Sequence, residues 1–226
     1  RIIEAVQDTA VANVKGDNSG IGAGSAAYFV ENGMMPGDAV YIYQGDTSSV
    51  TTLRDNGFTD YLLGNLEFDG ATVPEDQIDS AITKSGAMNW SRSDTKAAFE
   101  TLLADESNAQ IKWWYAEDDE LAMGILEALN GGGISDSTKE VFYETKPFIT
   151  GCGGLNEYYE VIRGNSYQDI TANLGGVMST TYSPSMIQTA IQDMVDHLDG
   201  KEVQQDHVIP CENVTAENVD EYVGFE

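Results

Sequence analysis

The chain has 226 residues, 41% of them hydrophobic, with 38 acidic against 11 basic side chains and a formal net charge of −27. That length suits one large domain or two small lobes, each with its own core, and no apolar run approaches membrane-spanning length. The charge argues against nucleic acid or an anionic membrane surface as a partner and leaves a well-solvated acidic surface.

In chain order, short apolar runs alternate with helical ones. Strands are predicted at 10–15, 39–43, 80–84, 111–116, 148–151 and 170–179, with helices between them at 21–31, 50–63, 93–103, 120–130 and 156–163. A last helix, 184–198, opens with Pro184 in its first turn. It carries Ile187, Ala190, Ile191, Met194, Val195 and Leu198 on one apolar stripe. A strand near 207–210 and a short acidic tail finish the chain. Alternation of this kind predicts an α/β fold, three-layer αβα, with a mostly parallel, doubly wound sheet.

Cys152 and Cys211 lie far apart and match no metal spacing; a disulfide and two free thiols are both open. His197 and His207 have no Cys or His neighbour and read as ordinary residues. No signal peptide opens the chain and Arg1 is not an initiator Met, so the N-terminus reads as processed.

The most informative stretch runs from Trp113 to Gly133. Glu117-Asp118-Asp119 separates a bulky apolar run from a helical one in which Leu121, Ala122, Ile125, Leu126 and Leu129 recur. A strand ending in acidic groups at a helix N-terminus is where open α/β sheets place ligand-binding side chains. The stretch resembles a strand-helix element of periplasmic sugar-binding proteins of the ribose and galactose type, which reads (Asn/Gln)-Asn-Asp-x-Met-Ala-x-Gly.

Further matches follow in order. Lys15-Gly16-Asp17-Asn18, with Gly20 and Gly24, resembles that family's crossing from its first lobe into its second. Thr52-Leu53-Arg54-Asp55-Asn56-Gly57-Phe58 resembles its Arg-x-x-Gly-Phe element, which implies that Arg54 reaches the sugar. Asn89-Trp90 stands in place of an Asp-aromatic pair whose ring stacks on the sugar, and Asp118 in place of a ligand-binding Asn. Tyr182-Ser183-Pro184 is similar to a Gln-x-Pro step at the last crossing. Leu198-Asp199-Gly200-Lys201, Val208-Ile209-Pro210 and Glu217-Asn218-Val219-Asp220 are similar to the family's ending. Two departures stand out. Gly153 replaces an Asp that usually binds sugar hydroxyls, and the segment 135–146 is longer than usual. Most of the first lobe, expected before Arg1, is missing.

The resemblance implies the type I periplasmic binding protein fold, divided into 1–16 (hinge and remnant of the N-terminal lobe), 17–182 (C-terminal ligand-binding lobe), 183–204 (a helix normally packed on the first lobe) and 205–226 (a strand and tail returning to the hinge). Helix 184–198 then lacks its usual cover and is expected to bury its stripe elsewhere, as in a homodimer. The implied function is the solute-binding component of an ABC sugar importer, an exported protein, periplasmic or held as a lipoprotein on the outer face of the cell membrane. Its implied partners are the importer's membrane subunits and a monosaccharide or related polyol. No cofactor, metal or catalytic residue is implied. The alternative is the effector-binding core of a sugar-responsive transcription regulator, which the acidic charge disfavours. An enzyme using Glu117 and Asp118 as an acid-base pair would lack any accompanying nucleophile motif.

The residue types suit a sugar, which presents an apolar C–H face and a rim of hydroxyls. Trp90 supplies a flat wall, Tyr182 a second one, Arg54 a fork of donors and Asp118 charged acceptors. A neutral ligand tolerates these charges only if an acid offsets Arg54, with Glu117 or Asp118 in that part. The ligand-binding candidates are therefore Arg54, Asn89, Trp90, Glu117, Asp118, Gly153 and Tyr182. Each has a plainer reading: Trp90 beginning a helix, Arg54 in a surface salt bridge, Asp118 as an N-cap, Gly151-Cys152-Gly153-Gly154 as a tight turn.

Overall fold

The computed structural model describes residues 10–183 and 186–225, and its elements follow the predicted alternation. In chain order they are β1 (Asn13–Gly16), α1 (Asn18–Glu31), β2 (Val40–Tyr43), α2 (Ser49–Asn65), a hairpin of β3 (Glu67–Phe68) and β4 (Ala71–Thr72), α3 (Glu75–Ala81), β5 (Ile82–Lys84) and α4 (Arg92–Leu102). Then come β6 (Trp113–Ala116), α5 (Asp119–Asn130), α6 (Asp136–Glu144), β7 (Phe148–Cys152), α7 (Asn156–Ile162), α8 (Gln168–Thr171), β8 (Gly176–Tyr182), α9 (Met186–Leu198), β9 (Asp206–Ile209) and β10 (Cys211–Val214). Helix starts carry side-chain caps that occupy otherwise orphaned amides: Asp17 for α1, Ser48 for α2, Ser91 for α4, Asp118 for α5 and Ser135 for α6.

The main sheet has six strands in the order β10-β8-β7-β6-β2-β5, parallel throughout except for β10. Side chains alternate across it, and that alternation builds two cores. Val40, Ile42, Trp113 and Tyr115 face one layer with Phe29 of α1 and Phe58 and Leu62 of α2. Tyr43, Trp114 and Ala116 face the other with Phe99 of α4, Leu121, Ile125 and Leu129 of α5, and Phe142 of α6. This is the three-layer α/β fold expected from the sequence.

Several boundaries differ. Ser80 and Ala81 belong to α3, where Glu75 and Asp76 occupy a first turn that favours acids. The run 170–179 is not one strand: Leu174 N–H still bonds the Thr171 carbonyl in turn geometry, and β8 begins at Gly176. The segment 135–146 holds α6, capped by Ser135 and anchored by buried Phe142. The expected acidic tail contains β10, an antiparallel edge strand on β8 with buried Val214. Pro184 lies outside the described residues, and α9 runs from Met186. Both cysteines are free thiols.

β1 and β9 stand apart as a parallel pair. Three segments join them to the main sheet: Gly16-Asp17, Tyr182-Ser183 and Ile209-Pro210. They touch one another, with Asp17 N–H donating to the Ile209 carbonyl at 3.0 Å and the Tyr182 ring lying flush against Gly16. No residue of α9 is buried, and its stripe is open to solvent, with Ile191 58% and Leu198 77% exposed.

α1 and α2 pack at backbone contact through two glycines. A Cβ on Gly22 would lie 1.9 Å from the Arg54 carbonyl oxygen, and one on Gly57 would lie 1.9 Å from that of Ser19. Main-chain atoms cannot yield as a flexible side chain can, so Gly57→Ala must push the helices apart. Overpacking of this kind costs about 1–3 kcal/mol. A lowered urea midpoint with an unchanged m-value is the expected result for Gly57→Ala.

Candidate functional site

The carboxyl ends of the parallel strands come together at one edge of the sheet. β2 leads into Gln44 and Gly45, β6 into Glu117 and Asp118, and β7 into Gly153, while β8 ends in Tyr182. A cavity of about 580 Å³ opens there, lined by Arg54, Asp118, Glu120, Gly153, Tyr182 and Phe225 among others. Four of the seven candidates line it: Arg54, Asp118, Gly153 and Tyr182.

Arg54 is not a surface residue. It points inward from α2, only 3% exposed, with Nε donating to Asn18 Oδ1 at 3.2 Å and Nη1 donating to the main-chain carbonyl of Glu117. A guanidinium stays charged when buried, so it requires such partners. Trp90 lies outside the cavity lining but covers the guanidinium, with Arg54 Cζ 5.3 Å from the ring centroid. The indole Nε1 donates to Asp46 Oδ2 at 3.0 Å, and the ring fills the space where a Cβ on Gly45 would stand. Asn89, exposed beside it, and Trp90 both adopt left-handed backbone, with φ of 51° and 56°. Two such non-glycine residues in succession store strain, a feature that concentrates at ligand sites. Trp90 does not cap a helix; Ser91 caps α4.

Asp118 is both N-cap and cavity residue. Its side chain accepts from Glu120 N–H at 3.0 Å while it lines the cavity. Glu117 behaves differently. It is fully buried, and its Oε2 accepts from Gly45 N–H at 2.7 Å, beneath the loop that carries Trp90. Burial, opposed by the Gly45 amide and reinforced by the like charge of Asp55, pushes its carboxyl well above the ordinary range. Burial works against the charge of Arg54, and Asp118 is the carboxylate among the neighbouring groups that favour it. Glu117 contributes its main-chain oxygen rather than its carboxylate.

Sequence reasoning passed over Asp119, Cys152 and Phe225. Asp119 is buried; its Oδ2 accepts from Gly154 N–H and Leu155 N–H at 2.8 Å each, and Ser179 Oγ lies 2.8 and 2.9 Å from its two oxygens. Burial, then the like charge of Asp118, pushes its carboxyl up to about 7. Asp119 thus holds the loop that carries Gly153. The only sequence signal was its place beside Asp118. The Cys152 thiol donates to the same Glu117 carbonyl that Arg54 uses, at 2.8 Å, and burial raises its pKa, keeping it a thiol.

A family described as periplasmic binding protein domain matches residues 3–202 of the chain. The fructose import binding protein FruE of Bifidobacterium longum (strain NCC 2705) is 24% identical over 197 residues, a match covering 87% of this chain and 50% of that protein. The myo-inositol binding protein of Caulobacter aligns with a TM-score of 0.67 at 20% identity, over 95% of this chain and 63% of that one. GanP, a glucose-galactose binding protein from Geobacillus stearothermophilus, aligns at 0.68 with 16% identity, over 95% and 66%. At such identities the solved structures show a shared fold. The chain spans about half the length of the curated relative and about two thirds of each structure.

The raised carboxyl of Glu117 makes stability depend on pH. The folded chain keeps a proton that the unfolded chain releases in the ordinary carboxylate range. This group therefore costs nothing below that range, and its cost grows as pH rises from there through the raised value. Glu117→Gln keeps an acceptor for Gly45 N–H and removes the titration. Urea midpoints should fall less steeply for Glu117→Gln than for the parent chain between about pH 5 and about pH 8.

Proposed function

The chain belongs to the periplasmic binding protein domain family, and we propose that it is the second-lobe portion of the solute-binding component of an ABC sugar importer, exported and binding a monosaccharide or related polyol. The observation that carries this reading is the buried Arg54, charged, shielded by Trp90 and opening into the cavity where three parallel strands end. Arg54 and Asp118 present a donor fork and charged acceptors to a hydroxyl rim, and Tyr182 gives an aromatic surface for a C–H face. Asn89 and Trp90 form the strained rim, Gly153 leaves space beside Asp118, and Glu117 positions Arg54 and the Gly45 turn.

Residues 17–182 act as the ligand lobe in this reading. The paired strands β1 and β9 with α9 belong to the opposite lobe, and the three crossing segments between them form the hinge about which the cleft closes. The importer's membrane subunits would read the closed state. FruE, the Caulobacter protein and GanP are described as binding fructose, myo-inositol and glucose or galactose, which makes D-fructose, myo-inositol, D-glucose and D-galactose the first panel. A ligand selective for the native state stabilises it by about 2.7 kcal/mol at a hundredfold excess over its Kd. One member of the panel should raise the melting point of the chain, and Trp90→Ala should abolish that shift. Silence across the panel at millimolar ligand overturns the sugar reading.

The stripe on α9 is open to solvent, and in this reading a second copy of the chain covers it. The 226-residue chain should therefore self-associate as concentration rises, and Ile191→Glu should return it to monomer in sedimentation velocity. A monomeric parent chain across the range would show that α9 tolerates its exposure.

A further inference from the structure

Two cavities flank the hinge, and they share Tyr182 and Phe225. One is the candidate ligand cavity; the other, of about 590 Å³, lies between Tyr159, Glu212, Glu221, Tyr222 and the Ile209-Pro210 crossing. Phe225 borders both. The residue is 45% exposed, so burial alone does not hold it in place. Its backbone does: Phe225 N–H donates to the Gly154 carbonyl and Asn156 N–H donates to the Phe225 carbonyl, both at 2.8 Å. Leu155 and Phe225 pair as an isolated parallel bridge. The same loop has its other amides, Gly154 N–H and Leu155 N–H, on the Asp119 carboxylate. It is pinned from inside by Asp119 and from outside by the 224–225 segment. Gly224 is part of that docking, since a Cβ there would fall 2.5 Å from Asn156 Cα and 2.6 Å from its amide nitrogen.

We propose that Phe225 is a specificity-determining wall of the candidate ligand cavity, an apolar platform for the C–H face of a sugar or cyclic polyol, held there by backbone pairing of residues 224–225 with the Gly153 loop. The inference rests on the sugar-binding reading and extends it. Arg54, Asp118 and Glu120 make the cavity's polar part, whereas Phe225 has no hydroxyl and offers only a ring. Covering a half-exposed ring with a flat C–H face removes apolar surface from water and selects ligands that have such a face. Trp90, outside the lining, supports Arg54, and Phe225 with Tyr182 supplies the aromatic surface inside.

The test uses the 226-residue chain with Phe225→Ala, Gly224→Ala and, as a control, Val223→Ala, whose side chain is 89% exposed. Amide hydrogen exchange at Asn156 reports docking without any ligand. Thermal shift with D-fructose, myo-inositol, D-glucose and D-galactose, each titrated separately, reports binding. Gly224→Ala should speed exchange at Asn156 by tenfold or more. Phe225→Ala should keep the melting point of the free chain and weaken the responding sugar about tenfold, with Val223→Ala like the parent. Unchanged exchange in Gly224→Ala overturns the backbone docking, and parental affinity in Phe225→Ala overturns the wall. If the parent chain responds to no sugar, the sugar-binding reading and this proposal fail together; if it responds and Phe225→Ala matches it, only this proposal fails.

Discussion

The site depends on one main-chain oxygen. The carbonyl of Glu117 accepts from both the Arg54 guanidinium and the Cys152 thiol, so it ties α2 and the end of β7 to the end of β6. A guanidinium buried without such an acceptor would face a heavy desolvation penalty. The acceptor is available because β6 ends here. Glu117 N–H still bonds the Tyr43 carbonyl across the ladder, while its own carbonyl has left the sheet. The side chain of the same residue turns down to the Gly45 amide and steadies the turn on which Trp90 rests. One peptide unit thus places the cation, and the carboxyl attached to it places the cation's aromatic cover.

That arrangement is only as rigid as its support from α1. The backbone of α2 at Arg54 and Gly57 lies directly on α1 at Gly22 and Ser19, and Asn18, in the first turn of α1, accepts from Arg54 Nε. α1 begins immediately after the Gly16-Asp17 crossing. Movement of that crossing therefore reaches the guanidinium through a packed backbone contact and a hydrogen bond, with no flexible loop between them. In α/β sheets the ligand groups usually stand on loops beyond the strand ends; here the cation of the candidate site, Arg54, stands on a helix packed directly against α1.

Much of the fold was legible because two periodicities coexist in it. Buried strands such as Trp113–Ala116 read as unbroken apolar runs, and helices such as α5 carry their apolar residues at spacings of three and four. The parts that stayed hidden lack either pattern. β10 alternates over only four residues, with a cysteine and an asparagine among them, and its identity as a strand comes from the β8 edge it covers. α6 follows a glycine run and shows itself only through its Ser135 cap. Motif spacing singled out Arg54, Asp118, Gly153 and Tyr182, and these four line one cavity. Glu117 and Asp119 flank Asp118 in the same acidic run, and nothing in their order tells which carboxylates turn inward; that is set by the pleat and by the loops they hold. Phe225 carried no signal, because its place depends on backbone pairing with a loop some seventy residues away in sequence.

The edge strand also governs when the lobe can be completed. Asn213 of β10 donates to the Gly24 carbonyl of α1 across a separation of 189 residues, and Thr180 Oγ1 lies 3.0 Å from its Oδ1. Until residues 211–214 are available, β8 presents a bare row of backbone donors and acceptors, the kind of surface on which foreign strands add. Loop-closure entropy must be met before so distant a contact can form. A chain still in synthesis would therefore hold a sheet open along its β8 edge until residues 211–214 had been added. Aggregation competes with folding during that interval, and β10 is the strand that ends the competition at this edge.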